Sequence, residues 1–198
     1  MGDASSWYEF VQGEELRQGD LLCGCPFTAL SPDVDLAAIR TDAASVGAWV
    51  STTFWDSVIL TQSCDLVSDT KRVIKTDAVL MCPYRPLSKA DELLSEAARN
   101  NEKSRANFFD QVRRGYQPNL HMIDAPPSET AEKSEILLLD FRRVFTCPSA
   151  LTQRIARDSQ QRLRLRSPYV EHLSQAFARF FMRVGLPSDI PPFRAKSL

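Results

Sequence analysis

The segment Asp56-Ser57-Val58-Ile59-Leu60-Thr61-Gln62-Ser63-Cys64-Asp65-Leu66 runs from a short apolar stretch into five consecutive side chains that can do chemistry. Cys64 is the candidate nucleophile. A thiolate attacks where a thiol does not, so the cysteine needs a base or a positive charge beside it. The chain has two histidines, His121 and His172. His121 falls in an expected short strand and is the one placed to meet Cys64 across a sheet, with Asp65 or Asp124 orienting the imidazole. If the chemistry is RNA cleavage instead, Thr61, Ser63 or His121 assists proton transfer while arginines stabilise the phosphorane-like charge. The alternative is that Cys64 is a small buried hydrophobe at a strand exit, with Ser63 and Asp65 making turn hydrogen bonds.

Soft metal ligands are present in Cys23, Cys25, Cys64, Cys82 and His121. A structural zinc site prefers paired cysteines two to four residues apart. Cys23 and Cys25 on one extended strand share a face about 7 Å apart, too far for one ion unless Gly24 bends the strand. The expectation is that both thiols face a core. No resident metal or cofactor is assigned.

A third chemistry is anion binding. The formal net charge of −1 hides a division along the chain. From Phe141 to Leu198 there are eleven basic residues against three acidic ones, a net +8, and the first 140 residues carry the balance, −9. Such a split implies either a basic face for an anionic partner or two halves that attract each other. Arg162, Arg164 and Arg166 alternate with Leu163 and Leu165, which predicts three guanidinium groups on one strand face. Arg142, Arg143, Arg154 and Arg157 lie nearby in sequence. Guanidinium forks grip phosphates, and Tyr116 or Trp55 is available to stack an unpaired base.

A Gly19-Asp20 turn opens a strand through residues 21–27, and residues 30–47 form an irregular connection with a helical turn around Leu36 to Ile39. Residues 48–63 fit two strands with a break near Trp55-Asp56-Ser57. A strand over 73–84 closes at Pro83. Residues 87–115 change to helical spacing, with Ser88 as cap, a weak middle at Asn100 to Lys103 and Gly115 as stop. A short strand in 116–126, a strong strand at 136–148 and the alternating 162–166 follow. Residues 167–185 predict an amphipathic helix, capped by Ser167 with Pro168 in its first turn. Its Phe177, Phe180, Phe181 and Met182 belong to one apolar stripe that packs on the barrel, while Met182 and Leu186, near the edge of that stripe, extend toward a homodimer contact. The tail 186–198 cannot continue a helix and is expected to be loose.

Together these predict an α+β fold of one domain: a small β-barrel with a helical insertion at 87–115 and a C-terminal packing helix. No apolar run approaches the ~20 residues needed to span a bilayer. The N-terminus has no secretory leader pattern, although Met1-Gly2-Asp3-Ala4-Ser5-Ser6 formally satisfies a myristoylation pattern. Five cysteines, an odd number, favour reduced thiols and a cytoplasmic setting.

Three stretches, "QGDLLCGCPF", "DSVILTQSCDL" and "AVLMCPY", resemble the MazF/PemK-like group of bacterial toxins in their opening Gly-Asp strand, their strand into a polar turn and the strand that follows. "ILLLDFRRVFT" and the last helix fit the later strand and closing helix. The resemblance implies an SH3-like barrel and a toxin–antitoxin or defence-like role, with RNA binding, RNA cleavage or a protein partner. Where that group carries an Arg-Pro pair before its central strand, this chain has Trp55-Asp56-Ser57, and no catalytic residue is carried over. The leading expectation is a domain that binds RNA or a protein partner. The alternatives are a toxin-type endoribonuclease and a Cys64-dependent enzyme.

Overall fold

The computed structural model of the protein describes residues 7–66, 75–94, 96–127 and 134–182. The strands are β1 (Tyr8–Val11), β2 (Leu21–Leu30), β3 (Val50–Ile59), β4 (Ala78–Pro86), β5 (Leu120–Ile123), β6 (Leu137–Asp140), β7 (Phe145–Pro148) and β8 (Arg162–Leu165). The helices are α1 (Leu36–Thr41), α2 (Ser63–Leu66), α3 (Glu96–Asn100), α4 (Glu102–Arg113), α5 (Ser149–Asp158) and α6 (Tyr169–Phe181). The class is α+β, and every strand pair is antiparallel.

The expected closed barrel is not formed. The described strands make two open sheets, a β1-β8 ribbon and a six-stranded sheet ordered β2-β3-β4-β6-β5 with β7 also on β4. Between the ribbon and β2 there is a single bridge, Asp20 to Arg164, rather than a ladder. At the other edge a Tyr8 hydroxyl donates to the Asp124 carbonyl, where no strand pairing among the described residues completes the seam.

Strand periodicity explains how one sheet serves two cores. Leu21, Val58, Leu60 and Cys82 face the ribbon and α6, and pack with Tyr8, Leu139, Phe141, Leu165 and Leu173. Their neighbours Leu22, Ile59 and Met81 point the other way, onto Leu16, Cys147 and Ala156 of α5. Leu138, between Leu137 and Leu139, turns to a third cluster under α4 with Ala90 and Val112. Each fully buried side chain of this size contributes about 1.5–3 kcal/mol.

Several elements depart from the sequence expectation. Residues 50–59 form one unbroken strand, and Asp56 stays in it at an exposed position while its Oδ1 accepts the Gly24 N–H at 2.9 Å. The 136–148 strand is split at Phe141–Arg143, because the Asp140 carboxylate accepts the Arg142 N–H at 3.1 Å and turns the chain. Pro83 lies inside β4. The weak middle of 87–115 does break the helix, and Asn101, not Ser88, caps the longer piece by accepting Ser104 N–H at 3.1 Å. Gly24, at φ +64°, sits in a bulge between Leu22 and Cys25, so Cys23 is exposed and Cys25 buried. The two thiols do not share a core face. The amino-terminal pattern, Leu186, Gly185 and the tail lie outside the described residues.

Candidate functional site

Five segments meet at a polar hollow of about 590 Å³: β1 at Glu9, the Arg17-Gln18 turn, the Gln62–Cys64 turn, the end of β8 and the first turns of α6. The sequence explains their convergence. Gly19 adopts φ +85° and its carbonyl accepts the Leu165 N–H at 3.0 Å. A Cβ there would stand 3.1 Å from both Leu165 Cβ and Val170 Cγ2, so only glycine lets the turn approach β8 and α6 this closely. The Gln18 N–H donates to Ser63 Oγ at 3.1 Å and its side-chain amide to the Leu60 carbonyl at 2.8 Å. Lys75 Nζ donates to the Cys64 carbonyl at 2.9 Å. The 60–65 turn is therefore clamped from two sides.

Ser63, Cys64, Arg164 and Arg166, four of the sequence candidates, line this hollow together, with Gln62, Arg17, Glu9 and Glu171. Cys64 is exposed, which corrects its reading as a buried thiol. Its Sγ donates to Gln62 Oε1 at 3.7 Å and Asp65 Oδ1 at 3.8 Å, and neither contact is to a cation. Thr61 is engaged structurally, its Oγ1 accepting the Leu80 N–H at 2.7 Å.

His121 is not brought to Cys64. It lines a different hollow, of about 250 Å³, with His172, Arg113 and Arg179, and stacks on Phe141 at 6.1 Å. Burial, with the His172 charge adding to it, pulls its pKa down to about 4, and its Nε2 has no hydrogen-bond partner among the described residues. It is a neutral imidazole at ordinary pH, and no hydrogen bond joins it to the thiol. Asp124 Oδ1 accepts the Ala125 N–H beside it in sequence. Among the described residues no group of three or more His, Cys, Asp or Glu side chains is arranged to hold a metal ion.

The arginine face of β8 also needs correction. Arg162 is 5% exposed and Asp20 fully buried. Arg162 donates from Nε to Asp20 Oδ2 at 3.0 Å, from one terminal nitrogen to the Gly13 carbonyl at 2.6 Å, and from the other to the Glu15 carbonyl. Arg164 forks onto the same carboxylate, its Nη2 at 3.0 Å from Oδ2 and its Nε on Oδ1. These two cations are held by an acidic residue of the first half, so internal attraction, not a free basic face, accounts for them. Arg142 is bidentate to Asp140 at 2.8 Å, Arg143 lies 3.4 Å from Glu92, and Arg157 lies 3.2 Å from Asp158. Arg154 and Arg166 are exposed with no ion pair among the described residues. Trp55, offered as a stacking platform, is spent on Phe27 at 4.2 Å and Phe145 at 5.6 Å, whereas Tyr116 is 70% exposed.

Sequence reading missed Arg17, Gln18, Glu9 and Glu171 as members of the hollow. The one local signal was the Gly19-Asp20 turn next to Arg17 and Gln18. No protein-family model matches the chain, and no curated protein matches it.

Proposed function

We propose that the protein is a nucleic-acid-binding domain whose contact surface is the Ser63–Cys64–Arg166 hollow and whose ligand is single-stranded RNA. The observation that carries this is Arg166: it is exposed, has no ion pair among the described residues, and lines the same hollow as a clamped turn of amide, hydroxyl and thiol groups. Such a set offers a phosphodiester one full positive charge and several neutral hydrogen bonds, set against the carboxylates of Glu9 and Glu171 that line the same hollow. Arg17, although paired with Glu15 at 2.7 Å, is about half exposed and can exchange that partner for a phosphate. A single-stranded chain suits a hollow better than a duplex does, because its backbone can follow the concave surface. A toxin-like or defence-like bacterial setting, and descent of the two open sheets from an SH3-like barrel, are parts of the same proposal. The test is a titration of fluorescent single-stranded RNA at low and high salt. Binding at low salt that weakens steeply with salt supports the proposal, and no binding at low salt removes it.

A metal-free endoribonuclease of the toxin type is the alternative, favoured by Glu9 and Glu171 lining the same hollow as Arg166 and Ser63. A carboxylate there would take the 2′-hydroxyl proton as that oxygen attacks phosphorus. Arg166 would neutralise the phosphorane charge, and the other glutamate, in its protonated form, would give its proton to the 5′-oxygen as the bond from phosphorus to that oxygen breaks, leaving a 2′,3′-cyclic phosphate and a 5′-hydroxyl. Incubation of mixed-sequence RNA with the protein and a chelator decides it: cyclic-phosphate ends support cleavage, and intact RNA excludes it.

A further inference from the structure

The β1-β8 ribbon and the larger sheet do not close against each other, and a cavity of about 450 Å³ lies in the seam. It is separate from the Arg166 hollow. Its volume falls within the ~300–1,000 Å³ typical of small-molecule sites. Phe10, Leu21, Leu137 and Leu163 give it apolar walls. Cys23, Asp56 and Tyr84 form one polar corner, with Cys23 Sγ 4.0 Å from the Tyr84 hydroxyl.

The charge of the corner selects the ligand. Arg162 and Glu135 also border the cavity; the Nε and both terminal nitrogens of Arg162 are committed to Asp20, Gly13 and Glu15, so it offers an anion little, and Glu135, which accepts the Ser88 N–H at 3.2 Å, adds a second negative group to the lining. Asp56 uses Oδ1 for the Gly24 N–H, and Oδ2 has no hydrogen bond among the described residues. Burial first, and then the Asp56 charge, raise the Cys23 thiol above its ordinary range; burial with a contribution from Asp56 does the same to the Tyr84 phenol. A second anion is disfavoured in this corner, and a cation is favoured.

We propose that this cavity binds a small molecule with an apolar, ring-sized body and a protonated amine. The amine meets the Asp56 carboxylate and donates to the Tyr84 hydroxyl, and the body packs on Phe10, Leu21 and Leu163. The bulge at Gly24 is what builds the site, because it turns Cys23 out of the core and aims the Gly24 N–H at Asp56.

Cys23 is a built-in reporter. Cys25, Cys82 and Cys147 are buried, so in a Cys64→Ser background Cys23 is the one exposed cysteine. The experiment follows maleimide labelling of Cys23 by intact-mass spectrometry, with tryptamine and indole-3-acetate as probes of matched shape and opposite charge. At tryptamine about ten times its half-protecting concentration, labelling slows about tenfold, and indole-3-acetate at the same concentration leaves it unchanged. Asp56→Asn, checked for folding by its urea midpoint, abolishes the preference for the amine. The proposal is overturned if neither probe protects Cys23, if both protect it equally, or if Asp56→Asn keeps the preference.

Discussion

Arg162 and Arg166 lie four residues apart on one segment and have opposite surroundings. Arg162 enters the seam of the fold, 5% exposed, and every donor nitrogen meets an acceptor of the first twenty residues. Arg166 leaves the strand into water beside a clamped polar turn. The same type of side chain thus stands in two different settings. Where Asp20 is available, guanidinium groups fasten the ribbon to the sheet, and one bridge of backbone pairing suffices there. Past the end of β8 no carboxylate pairs with Arg166 among the described residues, and the charge stays available to a ligand. A regional count of charge therefore says little about function until each cation's partner is known.

The sharpest way to break this contrast is Asp20→Asn. It leaves Arg162 and Arg164 without their shared charge in a buried site, and the expected loss is about 3–5 kcal/mol in a urea unfolding series. A loss below ~1 kcal/mol would mean that the node is solvated and that β8 is not divided as described. The buried side extends to His121. Its pKa of about 4 lies below the ordinary value of 6.5, so the unfolded chain binds the extra proton. Stability from this group is therefore complete above about pH 6.5 and falls as the pH drops toward 4, by up to about 3 kcal/mol. His121→Gln should flatten that acid limb when stability is followed from pH 7 to 4. An unchanged limb would show that another group drives it.

On the exposed side the effects are smaller in stability and visible in binding. Arg166→Ala should leave the urea midpoint within about 0.5 kcal/mol of the parent while lowering the salt slope of RNA binding by about 1. Arg162→Ala should do the reverse, destabilising the fold first. Cys64→Ser should change least, within about 0.5 kcal/mol in stability, because the thiol makes two weak contacts among the described residues, and without loss of RNA affinity, because the serine hydroxyl can donate the same hydrogen bond to a phosphate. Loss of binding in that variant would restore Cys64 as the functional centre.

Much of the architecture was legible because it depends on local pattern. The Phe177 and Phe180 part of the α6 stripe, the α+β class, the break near Asn100 and the Gly19-Asp20 turn follow from spacing and backbone freedom, whereas α6 begins after Pro168 without the expected Ser167 side-chain cap, and Phe181 and Met182 of the stripe are exposed. The remainder depends on distant partners. Asp20 reads as an ordinary turn residue, and its importance rests on Arg162 and Arg164, more than 140 positions away. Asp56 and Trp55 suggest a strand break, yet Asp56 is retained by the Gly24 N–H and Trp55 by Phe27 and Phe145. Asp140 sits in an apolar run and still turns the chain by binding its own Arg142. The candidate site was half visible. Ser63, Cys64, Arg164 and Arg166 were chosen for their chemistry, but nothing in the sequence indicated that they share a hollow from which His121 is absent.

Photo-crosslinking locates the contact most directly. With a 4-thiouridine-labelled single strand bound at low salt, crosslinked peptides should map to residues 61–66 and 164–174. Crosslinks confined to α4, α5 or the β2-β3 hairpin, or none at all under conditions where RNA is bound, would contradict the assignment of the Arg166 hollow as the nucleic-acid site.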